Sequence, residues 1–577
     1  MRKRILVFFL LTLLPCWSCE KQPQGDGGGG DTPQGEWTVS GTVRGDDSNP
    51  IANVVVSDGH LCVKTDADGR YALNVDLSAD LSSTLQYVFV STPAGWAAPK
   101  EDGHAIFWKW LKDYGKNAEG KITGVDFVLT RIANPERFTI YIFGDPQPRT
   151  SGSGSWTNGS AYKSVDVCND MYTDMKEYAA TMTDRPVYGI GLGDIVHRDV
   201  SLLPAYRSGM RGTGITTYNV IGNHDQVNDK GSNATGMTDE ESSKAFERIM
   251  GPTNYSFNLG NLHFLMLDDM IIRPGGTSDD CQTGLTDDIW QFAKNDLATV
   301  PSSAVVMVCA HSPMFRLLEG KDRTGQHLSE LRGELSRFER VYAWAGHTHS
   351  SFNYYDKNSN LEVHTMGRVT GALWTNEFLS ENGTPRGYLV FEYDAGRISW
   401  KFKPLFWQTA VHKYAGTDKE PDYKYRDWDY DASGRAILKT GGPLTDGYQM
   451  QVFKPDTYAP GDKTVYVNVF LWDEAWKTPT FQMDGSSARS PMTRVTESTG
   501  KQQRYSYADW DITAFYAGIW SGLKESWYDN DGKDPSNKLK NCTSIFKYTL
   551  NTTEDHGSGM VRVTDRFGNE YTSKVSW

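Results

Sequence analysis

Five unbroken apolar runs recur through the middle of the chain, at Phe138–Phe143, Val187–Leu192, Thr217–Ile221, Val305–Ala310 and Val341–Ala345. Runs of this length read as strands buried on both faces, the habit of parallel sheets in α/β domains. Helix-compatible segments separate them at Tyr172–Thr181, Glu240–Met250 and Asp287–Leu297, and Ser256–Leu259 with His263–Leu267 predicts a hairpin around Gly260-Asn261. Gly144-Asp145-Pro146-Gln147 follows the first run, Gly193-Asp194-Ile195-Val196-His197 the second and Gly222-Asn223-His224-Asp225 the third. The fourth ends at His311, and the fifth runs into Gly346-His347-Thr348-His349. In an open α/β sheet the carboxyl ends of parallel strands gather at one edge, where sites form. Glycines beside the polar residues let the backbone turn sharply there.

Taken singly these pieces are weak, since Gly-Asp after a strand is usually a turn. In this order they point to a cluster of hard oxygen and imidazole ligands. The series resembles the calcineurin-like metallophosphoesterases, whose motifs run Asp-x-His, Gly-Asp, Gly-Asn-His-Asp/Glu, His and Gly-His-x-His. Met250-Gly251-Pro252 before the hairpin and Asp268 after it fit the same family's habits. The resemblance implies an α/β fold, a calcineurin-like four-layer α-β-β-α domain spanning 133–404. It also implies hydrolysis of phosphomonoester or phosphodiester bonds with two divalent metal ions, drawn from Mn, Zn, Fe or Mg. Carried over residue by residue, one ion is held by Asp145, Gln147, Asp194 and His349, and the other by Asp194, Asn223, His311 and His347. Such ions sit about 3.5–4 Å apart, and a hydroxide bridging them attacks phosphorus in line. His224 takes the part of general acid toward the departing oxygen, and Asp225 that of orienting its imidazole.

The family commonly has His where this chain has Gln147. An amide oxygen suits manganese or magnesium, whereas zinc gains less from it than from imidazole. His197 stands where purple acid phosphatases carry a tyrosine ligand, which argues against an iron–tyrosinate centre. It is read as completing the first ion's shell, as contacting substrate, or as a histidine lining the crevice. Arg149, Arg316 and Arg368 are candidates for pairing a substrate phosphate, although such arginines more often serve surface salt bridges. Trp374 is read as core packing before stacking on a base or sugar, and His263 and His364 as structural.

At 577 residues the chain exceeds one core and suggests three or four units. From 37 to 132 short β runs (Val39–Val43, Asn53–Ser57, Tyr71–Val75) alternate with turns, predicting a small β-sandwich. The stretches Pro50–Gly59 and Thr65–Tyr71 resemble the carboxypeptidase-regulatory-like domains that precede such phosphoesterases in bacterial lipoproteins. Asp66-Ala67-Asp68-Gly69 lacks the closing acidic residue and helical flanks of an EF-hand and reads as a β-turn. From 405 to 577 the text is again β-rich, with strands at Thr464–Trp472 and Gly559–Thr564 and a turn at Asp565–Asn569. This part resembles the C-terminal β domain of the same phosphoesterases.

Arg2, Lys3 and Arg4 before the apolar Ile5–Leu14 have the proportions of a signal peptide, too short to span a bilayer permanently. Residues 1–19 resemble a lipoprotein signal with Cys19 as the acylated residue; ordinary cleavage to a soluble periplasmic protein is the alternative. Residues 20–36, with consecutive glycines Gly27–Gly30, form a flexible tether. The expected location is the bacterial cell envelope, on its periplasmic side or at the cell surface, with the lipid anchor as the membrane contact. Cys62, Cys168, Cys281, Cys309 and Cys542 are scattered and odd in number, so at most two pairs form. A net charge of −13 without a Lys/Arg-rich block disfavours duplex nucleic acid as a partner. A small phosphorylated substrate is expected: a nucleotide, sugar, lipid headgroup or glycan phosphate. A reading from another class is a catalytically weakened cell-surface binding protein that uses its β domains. Gln147 is its support, and the otherwise intact ligand positions count against it.

Overall fold

The computed structural model describes residues 36–149, 164–227, 236–273, 276–277, 280–315, 325–370, 383–406, 428–433, 435–438, 444–455, 461–495, 544–551 and 556–577. Apart from Glu36, all belong to one unit, Trp37–Trp577. The leader, most of the tether, Arg316, Trp374 and Cys542 lie outside the described residues.

All five apolar runs are strands, at Arg137–Phe143, Val187–Leu192, Thr216–Val220, Val305–Cys309 and Arg340–Ala345. They do not share a single sheet edge, which corrects the simplest reading of the motif series. The first three lie in a seven-stranded sheet ordered Arg397–Pro404, Gly387–Asp394, Arg137–Phe143, Val187–Leu192, Thr216–Val220, His104–Ala105, Lys100–Glu101. The other two lie in a six-stranded sheet ordered Tyr255–Leu259, Leu262–Met266, Val305–Cys309, Arg340–Ala345, Leu361–Thr365, Phe352–Tyr354.

The reason is that a strand apolar on both faces needs a layer on each side. Ile140 and Ile142 enter a core shared with Phe264, Met266 and Val308 of the second sheet. Tyr141 and Phe143 enter a separate core with Met171, Met175, Tyr206, Met210 and Phe246. One face of the first sheet therefore packs on the second sheet. The other packs on the helices Ser164–Ala180, Leu203–Thr213 and Asp239–Met250. Each large apolar side chain fully buried this way contributes roughly 1.5–3 kcal/mol. The architecture is mixed α/β.

Register then aligns the strand ends. Phe143 lies opposite Gly191 and Leu192 opposite Val220 in parallel pairs, so three motif loops leave the first sheet at one level. Cys309 lies opposite Trp344 in the second sheet, which brings His311 and the Gly346–His349 loop out together. The predicted hairpin is present as Tyr255–Leu259 and Leu262–Met266. Thr238 and Glu241 form a reciprocal cap on Asp239–Met250, and Thr286 caps Asp287–Ala298.

The N-terminal region holds two four-stranded sheets, and the Asp66 turn is a plain one. The Asp66 carboxylate accepts the backbone N–H groups of Asp68 and Arg70 at 2.9 and 2.8 Å. The hairpin Lys100–Glu101/His104–Ala105 leaves this region and extends the seven-stranded sheet, His104 pairing with Thr217. Phe89 meets Phe292 of the helix Asp287–Ala298 edge-on at 5.8 Å, and Asn295 of that helix donates to the His60 carbonyl at 2.8 Å. His263 is structural, buried against Asp296 at 2.7 Å. Cys62, Cys168 and Cys309 are free thiols. Among the described residues no helix is long and apolar enough to cross a membrane.

Beyond residue 444 lie two further four-stranded sheets with their own core, including Val465, Val467, Phe481, Phe546 and Val561. A buried ionic network fastens them to the six-stranded sheet. Glu362, 2% exposed, accepts from Arg340 at 3.0 Å and from Arg566, which also pairs with buried Asp473 at 2.8 Å. His364 lies beside Glu362 at 3.6 Å, a structural place. Removing one member of a buried ion pair leaves a charge without compensation, at a cost of about 3–5 kcal/mol. Arg566→Ala is therefore expected to lower the urea midpoint sharply. Glu362→Gln/Arg566→Met, which removes both charges, is expected to recover part of the loss. Equal midpoints for wild type and Arg566→Ala in urea titrations followed by tryptophan fluorescence would show that the network carries no stability.

Candidate metal centre

Asp194 is the hub. It ends the loop after Val187–Leu192, and its carboxylate is fully buried. Its Oδ2 accepts the Gln147 side-chain amide at 2.5 Å, and its backbone carbonyl accepts the Gln147 N–H at 3.0 Å. Its Oδ1 accepts the backbone N–H of His224 at 2.9 Å and faces His311 Nε2 at 3.3 Å. The two oxygens thus look toward the two halves of the predicted ligand set.

His311 is oriented for ligation. Its Nδ1 donates to the Leu192 carbonyl at 2.8 Å, which leaves the lone pair on Nε2. His347 Nδ1 lies 3.2 Å from that Nε2, and the His347 backbone N–H donates to both Asp145 oxygens at 3.1 Å. Two donors of one ion, each about 2.1 Å from it, stand roughly 3.0–3.4 Å apart at ordinary coordination angles. The ligand atoms of Asp145, Asp194 and His311 all lie within 4.8 Å of one another. Asn223 sits, 4% exposed, between Gly222 and His224, both of which touch Asp194. His349 is within electrostatic reach of Asp194, His347 and His224.

The backbone is strained where these residues stand. Asp145, Gln147, Asp194, His347 and His349 have φ of 48°, 42°, 50°, 62° and 57°, a region that non-glycine residues seldom occupy. Such strain persists only where the surroundings over-determine it, and it collects at functional sites. Gly193 has φ +80°, and a Cβ there would meet His311 Nδ1 at 2.5 Å. A Cβ on Gly222 would lie 2.2 Å from the Asp194 nitrogen. Close approach to the ligands, as much as the sharp turn, is what these glycines provide.

Charge is equally constrained. Burial, with Asp194 beside it, pushes Asp145 up to about 7 against the pull of His311. Burial and Asp194 push Asp225 up to about 8. Burial opposes ionisation of Asp194 too, but His311 and His224 outweigh it and hold the carboxyl well below its usual range. Burial opposes a charge on His311, yet Asp194 and Asp145 push it up to about 10. Burial, then His224 and Arg198, pushes His197 down to about 2. Asp145 and Asp225 are thus pushed toward the protonated form while Asp194 stays ionised, and divalent cations among them would favour the ionised carboxylates. The Gln147 carbonyl oxygen is buried and meets no donor, so one acceptor is left over for such a cation. The donors present fit a metal centre.

One assignment needs correcting. Asp225 does not orient His224, because its oxygens accept the backbone N–H groups of Ile195, Val196 and Gly222 at 3.0, 2.8 and 2.9 Å. The carboxylate reaches across to the Ile195–Val196 loop and back to Gly222, so both of its oxygens are taken up by backbone donors. Arg198 is the partner of His224 instead, donating from Nε to Nδ1 at 3.1 Å. Sequence reasoning passed over Arg198; its place directly after His197 was the available signal. Asp269 was also missed: it accepts the backbone N–H groups of His311 and Ser312 at 3.0 and 3.1 Å. Arg368 is fully buried, its segment pairs with Gly144, and its charge acts on Asp145 and His349. Arg149 is half-buried near Arg198 and His197. Gly222→Ala is expected to displace Asp194 and at least halve the manganese bound per chain after loading, measured by plasma mass spectrometry. Full metal content in that variant would detach Gly222 from the centre.

Two family models match the chain: N terminal of Calcineurin-like phosphoesterase over residues 37–131, and C terminal of Calcineurin-like phosphoesterase over residues 363–571. Comparison with curated proteins finds no match. Among solved structures the chain is similar to the purple acid phosphatase PPD1 of yellow lupin (Lupinus luteus) seeds, at 13% identity, covering 61% of this chain and 67% of that one, with a TM-score of 0.32. It is also similar to the NAD nucleotidase of Haemophilus influenzae, at 11% identity, 53% and 54% coverage and a TM-score of 0.25; here it spans about half of the other chain. A third is a Saccharomyces cerevisiae protein serine/threonine phosphatase with similarity to human PP5, at 11% identity, 47% and 81% coverage and a TM-score of 0.22. With matches on both sides of the strands that carry Asp145, Asp194 and His311, this chain belongs to the calcineurin-like phosphoesterase family.

Proposed function

We propose that this protein is a metal-dependent phosphoesterase that hydrolyses phosphomonoester or phosphodiester bonds of a small phosphorylated compound at the cluster around Asp194. The observation that carries the reading is the meeting of Asp145, Asp194 and His311, from separate strand ends in two sheets, within 4.8 Å. On this reading Asp145, Gln147, Asp194 and His349 hold one divalent ion, and Asp194, Asn223, His311 and His347 the other. The domain is then the calcineurin-like four-layer α-β-β-α type, flanked by an N-terminal β-sandwich and a C-terminal β-rich domain. When bound, the ions supply Lewis-acid polarisation of the phosphoryl oxygens and ready ionisation of water.

The chain's own residues supply the rest. Asp194, with one oxygen toward each half of the cluster, suits the shared position. Amide and imidazole donors add no negative charge to repel an anionic ester. The charge of Arg149 reaches His197, giving a positive field on the side where the His197 and His224 rings lie 4.3 Å apart. His224 is the donor toward the departing oxygen, a role that typically contributes about 10²–10⁴ in rate. Residues 1–19 and the tether support attachment to the bacterial cell envelope through a lipid on Cys19.

Manganese-loaded protein is expected to cleave a chromogenic aryl phosphate or bis-aryl phosphate, to stop with chelator and to resume on adding manganese. His311→Ala is expected to lose metal and activity together. His224→Ala is expected to keep its metal and lose about 10²–10⁴ in kcat. A fully loaded wild-type protein that cleaves no nucleotide, sugar, lipid or aryl phosphate would end the proposal.

A further inference from the structure

His224 is held by Arg198 at two points. The Arg198 Nε–H donates to His224 Nδ1 at 3.1 Å, and the Arg198 backbone N–H donates to the His224 carbonyl at 2.8 Å. Arg198 itself has a left-handed backbone, φ +59°, a conformation that persists only where the surroundings over-determine it. A guanidinium carries donors only. The imidazole nitrogen that faces it must therefore accept, and the ring hydrogen sits on Nε2. A carboxylate in the same place does the reverse: it accepts from Nδ1–H and leaves Nε2 of the neutral ring as an acceptor. The nearest carboxylate in sequence, Asp225, is occupied by three backbone N–H groups.

Resting on the phosphoesterase reading above, we propose that Arg198 is a positioning residue, which holds His224 as the neutral tautomer bearing its hydrogen on Nε2 and so presents a fixed hydrogen-bond donor to the departing ester oxygen, which takes its proton from solvent. The benefit of such a donor depends on the leaving group. A weakly basic nitrophenolate departs without much help, whereas a phenolate or alkoxide needs the hydrogen bond as charge builds on it. Arg198 therefore acts on kcat for poor leaving groups and leaves substrate binding largely alone.

The test uses the full chain loaded with manganese and a series of aryl phosphate esters from p-nitrophenyl to phenyl. Arg198→Met is expected to lose about 10–100-fold in kcat on the phenyl ester, the scale of a misplaced catalytic group, and far less on the p-nitrophenyl ester. Arg198→Gln, which keeps a side-chain N–H donor, is expected to recover much of the loss. The double variant Arg198→Met/His224→Ala is expected to fall no further than His224→Ala, because the two act as one unit. Losses that multiply in the double variant, or a loss equal for all esters and carried by KM, overturn the proposal and make Arg198 a phosphate-binding residue. Long-range ¹H–¹⁵N spectra, with the His224 ring assigned by its absence in His224→Gln, read the tautomer without turnover. Hydrogen on Nε2 in wild type supports the proposal, and hydrogen on Nδ1 overturns it. If wild type cleaves no ester, the phosphoesterase reading falls by itself, and the spectrum still decides whether Arg198 sets the ring.

Discussion

One buried carboxylate holds the centre together. Asp194 is buried, so its oxygens must be met from within, and Gln147, His224 and His311 meet them from three other loops. An ionised carboxylate in such a place is costly unless it is paired and hydrogen-bonded. The loops bend to satisfy it: the left-handed backbone at Asp145, Gln147 and Asp194 and the missing side chain at Gly222 are local concessions to that demand. Removing the hub would leave the other donors facing one another across an unfilled gap.

The hub works because two sheets present their strand ends at one seam. Parallel pairing fixes the level at which the Asp145, Asp194 and Asn223 loops exit, and a second parallel set does the same for His311 and His347. Packing between the sheets sets how closely those two groups of loops approach. The flanking regions tie into the same layers. The network of Glu362, Arg566 and Asp473 holds the far C-terminal strands against the strand Leu361–Thr365. Arg386 with Asp170, and Lys403 with Asp174, fix the hairpin Gly387–Pro404 to the helix Ser164–Ala180 through ion pairs with no solvent exposure.

Much of this was legible from residues alone, for physical reasons. Two-sided burial makes a strand read as a continuous apolar run, so the five strands were found to within about a residue at each end. Ligand residues next to glycine at strand ends left a pattern of residue types that survives without coordinates. What escaped depends on three-dimensional adjacency. The helix Leu203–Thr213 was not anticipated, since Pro204, Gly209 and Gly212 blur its periodicity, although Gly214 closes it in the left-handed conformation. The apolar runs alone do not show which strands belong to which of two sheets, because a facing sheet and a covering helix make the same demand on side-chain polarity; the two-sheet layering was an expectation from the family resemblance alone. The partner of His224 is not Asp225, the nearest carboxylate in sequence, because backbone N–H groups of the Ile195–Val196 loop, distant in sequence, and of Gly222 claim that carboxylate.

The hairpin Lys100–Ala105 carries one more implication. It belongs by sequence to the first hundred-odd residues, yet its partner strand begins at Thr216. Synthesis runs from the N-terminus, so this edge remains unpaired until the chain as far as Thr217 has been made and the strand order of the seven-stranded sheet is in place. Contacts between distant parts of a sequence slow folding and prolong the exposure of open strand edges. The leading region is thus less a separate appendage than a thread sewn back into a later seam, and its maturation is timed by the residues that follow it.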